Sequence, residues 1–327
     1  MNAPKMNLSL HCLAAGVLLT AFNASAQNLY TENFDTNPTA NWTVSPTTGA
    51  QAADLFFDYS TVGIPSAPNS TGGSTRGMKL QANLVGTPGV FPGGVSTSPT
   101  GQSFAGDYKL RFDMWMNFNG PMPAGGSGTT QAGGAGLGTA GTLAQVAGSP
   151  TVNSLFFSTT MDGGSAADYR AYSSAAATGY LPASGIFAAG TGTAPDARNN
   201  SNPYYSSFAG QPAPAAQLVL FPGQTGTANV GTLAFAWHDV VIEKSGSTVT
   251  WSVDGKLLAT VDTTGLTLSG GNVLFNHYDT NATASTDPLS ASLLFTLIDN
   301  VSVIPEPTSA SVIALGLGLL ALARRRK

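Results

Sequence analysis

Sixteen of the chain's 17 carboxylate side chains lie between residues 27 and 304, yet only two of these are glutamates, Glu32 and Glu243. Retaining cleavage of a glycosidic bond needs an acid and a nucleophilic carboxylate about 5 to 5.5 Å apart. Asp239 and Glu243 share one face of a predicted strand, but four residues of extended chain separate them by about 13 Å, too far for that chemistry. His238 and His277 have no metal-ligand spacing, and no Gly-x-Ser-x-Gly nucleophile elbow occurs. The single cysteine, Cys12, lies in an apolar N-terminal run, so the rest of the chain has no thiol for a disulfide, a thiolate ligand or a nucleophile. The expectation is a protein without catalysis, whose chemistry is hydrogen bonding and aromatic contact.

Both termini read as addresses. Lys5, the apolar stretch Leu8 to Phe22 and Ala24-Ser25-Ala26 have the order of a secretory signal peptide, with cleavage expected after Ala26. At the other end, Pro305-Glu306-Pro307 precedes an apolar run from Ala310 to Ala323 and a basic cluster of Arg324, Arg325, Arg326 and Lys327. A membrane-spanning helix needs about 20 apolar residues, so this run crosses only with help from snorkelling arginines. The basic cluster keeps its own end cytoplasmic and leaves everything before Pro305 outside. This tripartite tail resembles the PEP-CTERM sorting signal of Gram-negative bacteria. The resemblance implies removal of the tail by an exosortase, an integral-membrane cysteine protease, with Pro305, Glu306, Pro307, Arg324, Arg325 and Arg326 as the sorting motif. A plain membrane anchor is the alternative. The expected organisation is a signal peptide over 1–26, a body over 27–303 and a sorting tail over 304–327.

The body carries eight basic residues against sixteen acids, a net −8 where the whole chain is −4. Nucleic acid would need a basic stripe, so it is excluded as a partner. Charged residues make up only 9% of the chain, and 39 glycines with long Ala, Thr and Ser tracts take their place. Strand signals are frequent and helical ones nearly absent. Residues 27–35 and 41–44 alternate as opening strands, and 78–84, 108–118, 154–161, 273–278 and 292–303 follow. On 108–118, Tyr108, Leu110, Phe112, Met114 and Met116 share one face. Lys109, Arg111, Asp113, Trp115 and Asn117 share the other, which predicts a wet face with one exposed tryptophan. Residues 120–149 hold so few large apolar groups that a long mobile loop is expected. Residues 162–230 read as loops carrying Tyr169, Tyr172, Tyr180, Tyr204 and Tyr205, either packing anchors or a sugar-binding rim.

Between Trp237 and Val261 three period-2 runs are separated by Ser245-Gly246 and Asp254-Gly255, the latter suited to a type I′ turn. This meander, with Trp-His-Asp at its start and Val-Asp-Gly before its last strand, resembles the concanavalin A-like lectin and glucanase jelly rolls. The predicted fold is all-β, a two-sheet antiparallel jelly-roll sandwich with long Gly/Ala-rich loops, plus a short C-terminal transmembrane helix. The Glu-x-Asp-x-x-Glu strand of the jelly-roll glucanases is missing. Such a fold sets its first and last strands side by side, which would bring Glu32 and Asp35 near Asp299. Several jelly-roll sugar-binding modules keep a structural calcium in a similar place, so these three carboxylates are candidates for a shared Ca2+ ion; the alternative is that Asp299 hydrogen-bonds nearby backbone and Glu32 is solvated. Trp115, Tyr204 and Tyr205 are the expected glycan contacts, by stacking. The function expected is carbohydrate binding or association with exopolysaccharide at the cell surface; the alternatives are a divergent glycoside hydrolase and a purely structural surface protein.

Overall fold

The computed structural model describes residues 27–84, 89–120, 130–165, 167–174, 177–178, 186–188, 198–281 and 288–306. Its strands are β1 (Tyr30–Glu32), β2 (Trp42–Pro46), β3 (Ala52–Asp58), β4 (Arg76–Gln81), β5 (Gly93–Pro99), β6 (Tyr108–Asn117), β7 (Gln131–Thr139) and β8 (Leu155–Thr160). After these come β9 (Tyr169–Tyr172), β10 (Ala177–Thr178), β11 (Ile186–Ala188), β12 (Trp237–Ser245), β13 (Thr248–Val253), β14 (Lys256–Asp262), β15 (Asn272–Asp279) and β16 (Phe295–Pro305). Among the described residues there are also two short α-helices, α1 (Ala215–Leu220) and α2 (Ser290–Leu293), and single 3-10 turns at Thr39–Asn41, Tyr59–Val62, Thr71–Gly73 and Pro203–Tyr205. Arg324, Arg325, Arg326, Pro307, Tyr180 and the apolar run of the tail lie outside the described residues; among the described ones no helix is long and apolar enough to cross a membrane.

Two antiparallel sheets form the predicted sandwich. One runs β11-β14-β13-β12-β6-β16-β4-β3, with β1 also on β16; the other runs β10-β9-β8-β7-β15-β5-β2. The meander reads as expected, with β12, β13 and β14 paired in succession. Asp254 and Gly255 both have positive φ (50° and 74°), as a type I′ turn requires. The first strand lies on the last, Tyr30 opposite Val303 and Glu32 opposite Val301. Phe112, Leu110, Met114, Trp251, Phe275 and Ile298 meet between the sheets in one continuous core.

The glycine-rich stretch is a strand where a loop was expected. Residues 131–139 form β7, buried throughout, between β8 and β15. Its apolar contacts come from its neighbours. Ala132, Gly134 and Gly136 point to the outer face, where Tyr278 of β15 reaches across the strand to the Ser158 hydroxyl on β8. Phe156 stacks on Tyr172 at 4.7 Å beside them, and Val146 and Ala147 close the cluster. The chain after β7 thus folds back over its own sheet, held by the Gln145 amide donating to Ser96 (3.0 Å) and by Asn276 donating to the Gln145 carbonyl (2.8 Å). A β-carbon at Gly134 would stand 1.9 Å from the Phe157 carbonyl oxygen, and the strand cannot admit it without moving. Gly134→Ala should therefore lower unfolding stability by about 1–3 kcal/mol, read as a drop in denaturant midpoint at unchanged m-value.

Candidate functional site

The outer face of β6 starts wet and ends buried. Arg111 is exposed, whereas Asp113 (0%), Trp115 (2%) and Asn117 (0%), on the same face, are not. The alternation predicted for this strand is correct, but the exposure predicted for Trp115 is not. A segment between β3 and β4, residues 59–75, lies over this end of the sheet. Tyr59 packs edge-on against Trp237 at 5.2 Å, Trp237 donates its indole N–H to the Pro65 carbonyl (2.8 Å), and Trp115 tilts against Trp237 at 5.7 Å. Trp115 donates to Asn117, which in turn donates to the Leu293 carbonyl of α2. Its ring is a packing element and offers no face to a sugar.

Two carboxylates fasten this cover. Asp113 and Asp299 are directly opposed on β6 and β16, and both are fully buried. Asp113 accepts from the Asn69 side chain (2.7 Å), the Asn69 backbone (3.2 Å) and Asn300 (2.8 Å). Asp299 accepts from Tyr59 (3.0 Å), Ser70 (3.0 Å) and the Asn300 backbone (2.7 Å). Burial pushes the Asp299 carboxyl up to about 7, against its hydrogen bonds from Ser70 and Tyr59 and with the Asp113 charge adding to the rise. The same burial lifts the phenol of Tyr59.

β16 uses two partners in turn on the side away from β6. β4 covers Thr296 to Ile298, and β1 covers Val301 to Val303. Between them the strand bulges at Asp299 and Asn300, with Asn300 in the left-handed region (φ 52°), and the register against β6 shifts. An open cleft of about 610 Å³ sits at this notch. Asn28, Asn33, Asn69, Thr71, Asn300 and Ser302 supply most of its amides and hydroxyls, with Glu32 and Arg111 as its charges. Burial raises the Glu32 carboxyl above its ordinary range, opposed by the Phe34 amide it accepts at 2.9 Å.

The three carboxylates that were candidates for a shared calcium do not come together, and Asp299 accepts from backbone and side-chain donors instead. Asp299 turns into the sheet toward Tyr59 and Ser70, Glu32 caps the Phe34 amide at the cleft, and Asp35 accepts from Asn33 at the surface (2.6 Å). Among the described residues no group of three or more His, Cys, Asp or Glu is placed to hold a metal ion. The pairing of first and last strands was right, but Asp299 shares its sheet face with Asp113 on β6. The tyrosines divide. Tyr205 is fully buried, stacked on Tyr169 at 4.2 Å, and so cannot serve as a glycan contact. Tyr204 is half-buried, donating to the Leu257 carbonyl (2.7 Å) with the Lys256 ammonium 4.2 Å over its ring. Asp239 and Glu243 line the wet face as predicted, each beside a cation: Arg111 at 2.7 Å and Lys109 at 3.5 Å. His277 is a structural histidine, bonded to Thr296 (2.9 Å) and Gln131 (2.7 Å) and pushed down to about 3 by burial. His238 is held by Asp254 at 2.7 Å.

These groups set an unusual pH dependence. Burial also raises the Asp279 carboxyl, to about 6. Near pH 5 the folded chain therefore holds protons on Asp299 and Asp279 that the unfolded chain, with aspartates near 3.9, has released. The unfolded chain in turn protonates His277, near 6.5, which the fold keeps neutral. The protons on Asp299 and Asp279, with the raised Glu32 carboxyl acting in the same direction, favour the folded state against one that favours the unfolded. Stability should thus fall as pH rises from about 4.5 to 6, by on the order of 1 kcal/mol per pH unit. Thermal melts should give a higher Tm at pH 5 than at pH 7, and Asp299→Asn should narrow that gap.

Among solved structures the sandwich is similar to a glycoside hydrolase family 16 endo-glucanase from Bacteroides ovatus, at 12% identity and a TM-score of 0.43, over 84% of this chain and 100% of that one. It is similar also to a Bacillus subtilis protein of unknown function with a galectin-like fold (10% identity, TM-score 0.43, 86% and 99% covered). A third likeness is to Bacillus licheniformis beta-glucanase (11%, TM-score 0.41, 85% and 98%). The sequence matches no curated protein. Residues 303–327 match the PEP-CTERM protein-sorting motif, which indicates export, exosortase processing and sorting to the cell surface.

Proposed function

We propose that this exported, exosortase-processed surface protein holds a polysaccharide chain in the cleft at the β16 notch and does not cleave it. The observation that carries this reading is the lining: side-chain amides from three separate segments converge with threonine and serine hydroxyls on one open cleft. A primary amide presents donor and acceptor in one plane, and a hydroxyl does both, which is the complement of vicinal sugar hydroxyls. The floor is rigid because Asp113 and Asp299 fix Asn69 and Asn300 from beneath. A body charge of −8 with few cations suits a neutral glycan better than a polyanion.

Binding is favoured over hydrolysis because the two nearest paired carboxylates are buried and committed to protein donors, whereas a catalytic pair must reach the glycosidic bond. The competing reading, a divergent glycoside hydrolase, draws on that same pair and on the raised Asp299 carboxyl. It would require Asn69 and Ser70 to leave their carboxylates.

Protein purified from the host after processing should bind the host's extracellular polysaccharide by isothermal calorimetry. Asn28→Ala combined with Thr71→Ala removes two lining groups whose side chains make no hydrogen bond among the described residues. Two neutral hydrogen bonds contribute about 1 kcal/mol each, so affinity should fall roughly tenfold or more while Tm stays put. Reducing ends appearing during incubation would establish the hydrolase instead, and an absence of binding to neutral polysaccharides would remove the proposal.

A further inference from the structure

The sorting motif is not attached to the sandwich by a spacer; it begins inside the last strand. Pro305 is the final residue of β16 and lies opposite Tyr108 of β6. Beyond it, the Glu306 amide donates to the Asp107 carbonyl at 3.0 Å, continuing the strand pairing by one more bond. The Glu306 carboxylate accepts from the Lys109 ammonium at 2.9 Å, and Lys109 also faces Glu243 at 3.5 Å. Within that ion pair Glu306 is the less exposed partner, at 22% against 37% for Lys109. The backbone amide and the carboxylate of the motif's central residue are thus both engaged by the folded body.

We propose that the folded sandwich withholds the Pro305-Glu306 end of the sorting motif from its processing enzyme, and that Lys109 is the positioning residue that sets how readily this end is released. An enzyme seated in the membrane must take hold of a motif whose backbone and carboxylate already have partners on β6, so peeling Pro305 and Glu306 from Tyr108 and Lys109 precedes recognition. Peeling stops early. Upstream of Pro305, β16 is held on both sides, by β6 through Ser302, Val303 and Ile304 and by β1 through Val301 to Val303. Release of the motif therefore leaves the sandwich and its cleft undisturbed. Lys109 rather than Arg111 is the lever, because Arg111 is taken by Asp239 at 2.7 Å and lies further up β6. Glu243 holds the Lys109 ammonium in place when Glu306 departs, so the cation stays ready to recapture the motif.

The test follows the full-length precursor in pulse-labelled cells of the native host, by the mobility and mass of the tail-bearing and trimmed species. Inserting Gly-Ser-Gly-Ser between Ile304 and Pro305 frees the motif without altering it and should shorten the precursor's half-life several-fold. Lys109→Glu sets a third carboxylate against Glu243 and Glu306 and should do the same, while Lys109→Arg keeps the cation and should process at the wild-type rate. In the spacer background Lys109→Glu should add nothing further. That last outcome separates release of the motif from any general loosening of the fold, which would accelerate processing in both backgrounds. A spacer that leaves the half-life unchanged or lengthens it overturns the proposal, as does a Lys109→Glu effect that persists with the spacer present. A wild-type chain that keeps its tail throughout the chase overturns the processing of this chain and the proposal with it.

Discussion

Two aspartates placed side by side in the interior are the constraint to which this fold is built. Removing a carboxylate from water costs several kcal/mol unless donors replace the lost solvation, and Asp113 and Asp299 are opposed on neighbouring strands with no exposure at all. Their donors come almost wholly from one segment, residues 59–75, and from the bulge at Asn300. The electrostatic requirement thus dictates where that segment lies. Once it lies there, Tyr59 and Pro65 cover Trp237 and Trp115, one half of the outer face becomes interior, and the uncovered half beside β1 becomes a cleft. The raised Asp299 carboxyl is the residue of that bargain, relieved when the proton returns.

Much of the architecture was legible in the sequence, for a local reason. Period-2 alternation in Tyr108 to Asn117 assigned every side chain of β6 to the correct face, and Asp254-Gly255 announced its hairpin through the turn geometry that two left-handed residues impose. The side a residue faces is a property of its own strand. Whether that side meets water is a property of whatever else in the chain arrives there. Trp115 was misjudged on this point alone, because the cover comes from Tyr59, Pro65 and Asn69, whose neighbourhood of proline, serine and asparagine reads as plain loop. Of the cleft residues, Glu32 could be marked from its strand and Arg111 placed on a wet face, whereas Asn28, Asn69 and Thr71 carry no local signal and meet only in three dimensions.

The glycine strand β7 is the complementary case. Apolar content is the usual sign that a segment can offset its ordering entropy, and residues 131–139 have little of it. The missing atoms are supplied from both sides, by Tyr278, Phe156 and Tyr172, which lie across the glycines and fill the volume that β7 leaves open. A composition argument that counts a segment's own side chains fails where neighbours do the filling. The strand is intolerant of a β-carbon for a separate reason: at Gly134 and Gly136 it would meet the Phe157 and Leu155 carbonyls of β8, and at Gly133 the Thr296 side chain of β16, so the poverty in side chains is a packing requirement.

One strand connects the cleft to the address. β16 carries Asp299 and Asn300 at its bulge, receives β1 through Val301 to Val303, and ends on the first residue of the Pro-Glu-Pro motif. A bulge interrupts the ladder, so displacement entering from Pro305 meets a break in register before it reaches Asp299. The doubly paired segment between bulge and motif resists fraying because opening it exposes backbone groups on two sides at once. A pull on the tail is therefore borne by Val301 to Val303 and their two partner strands. The cleft can keep its shape under such a pull.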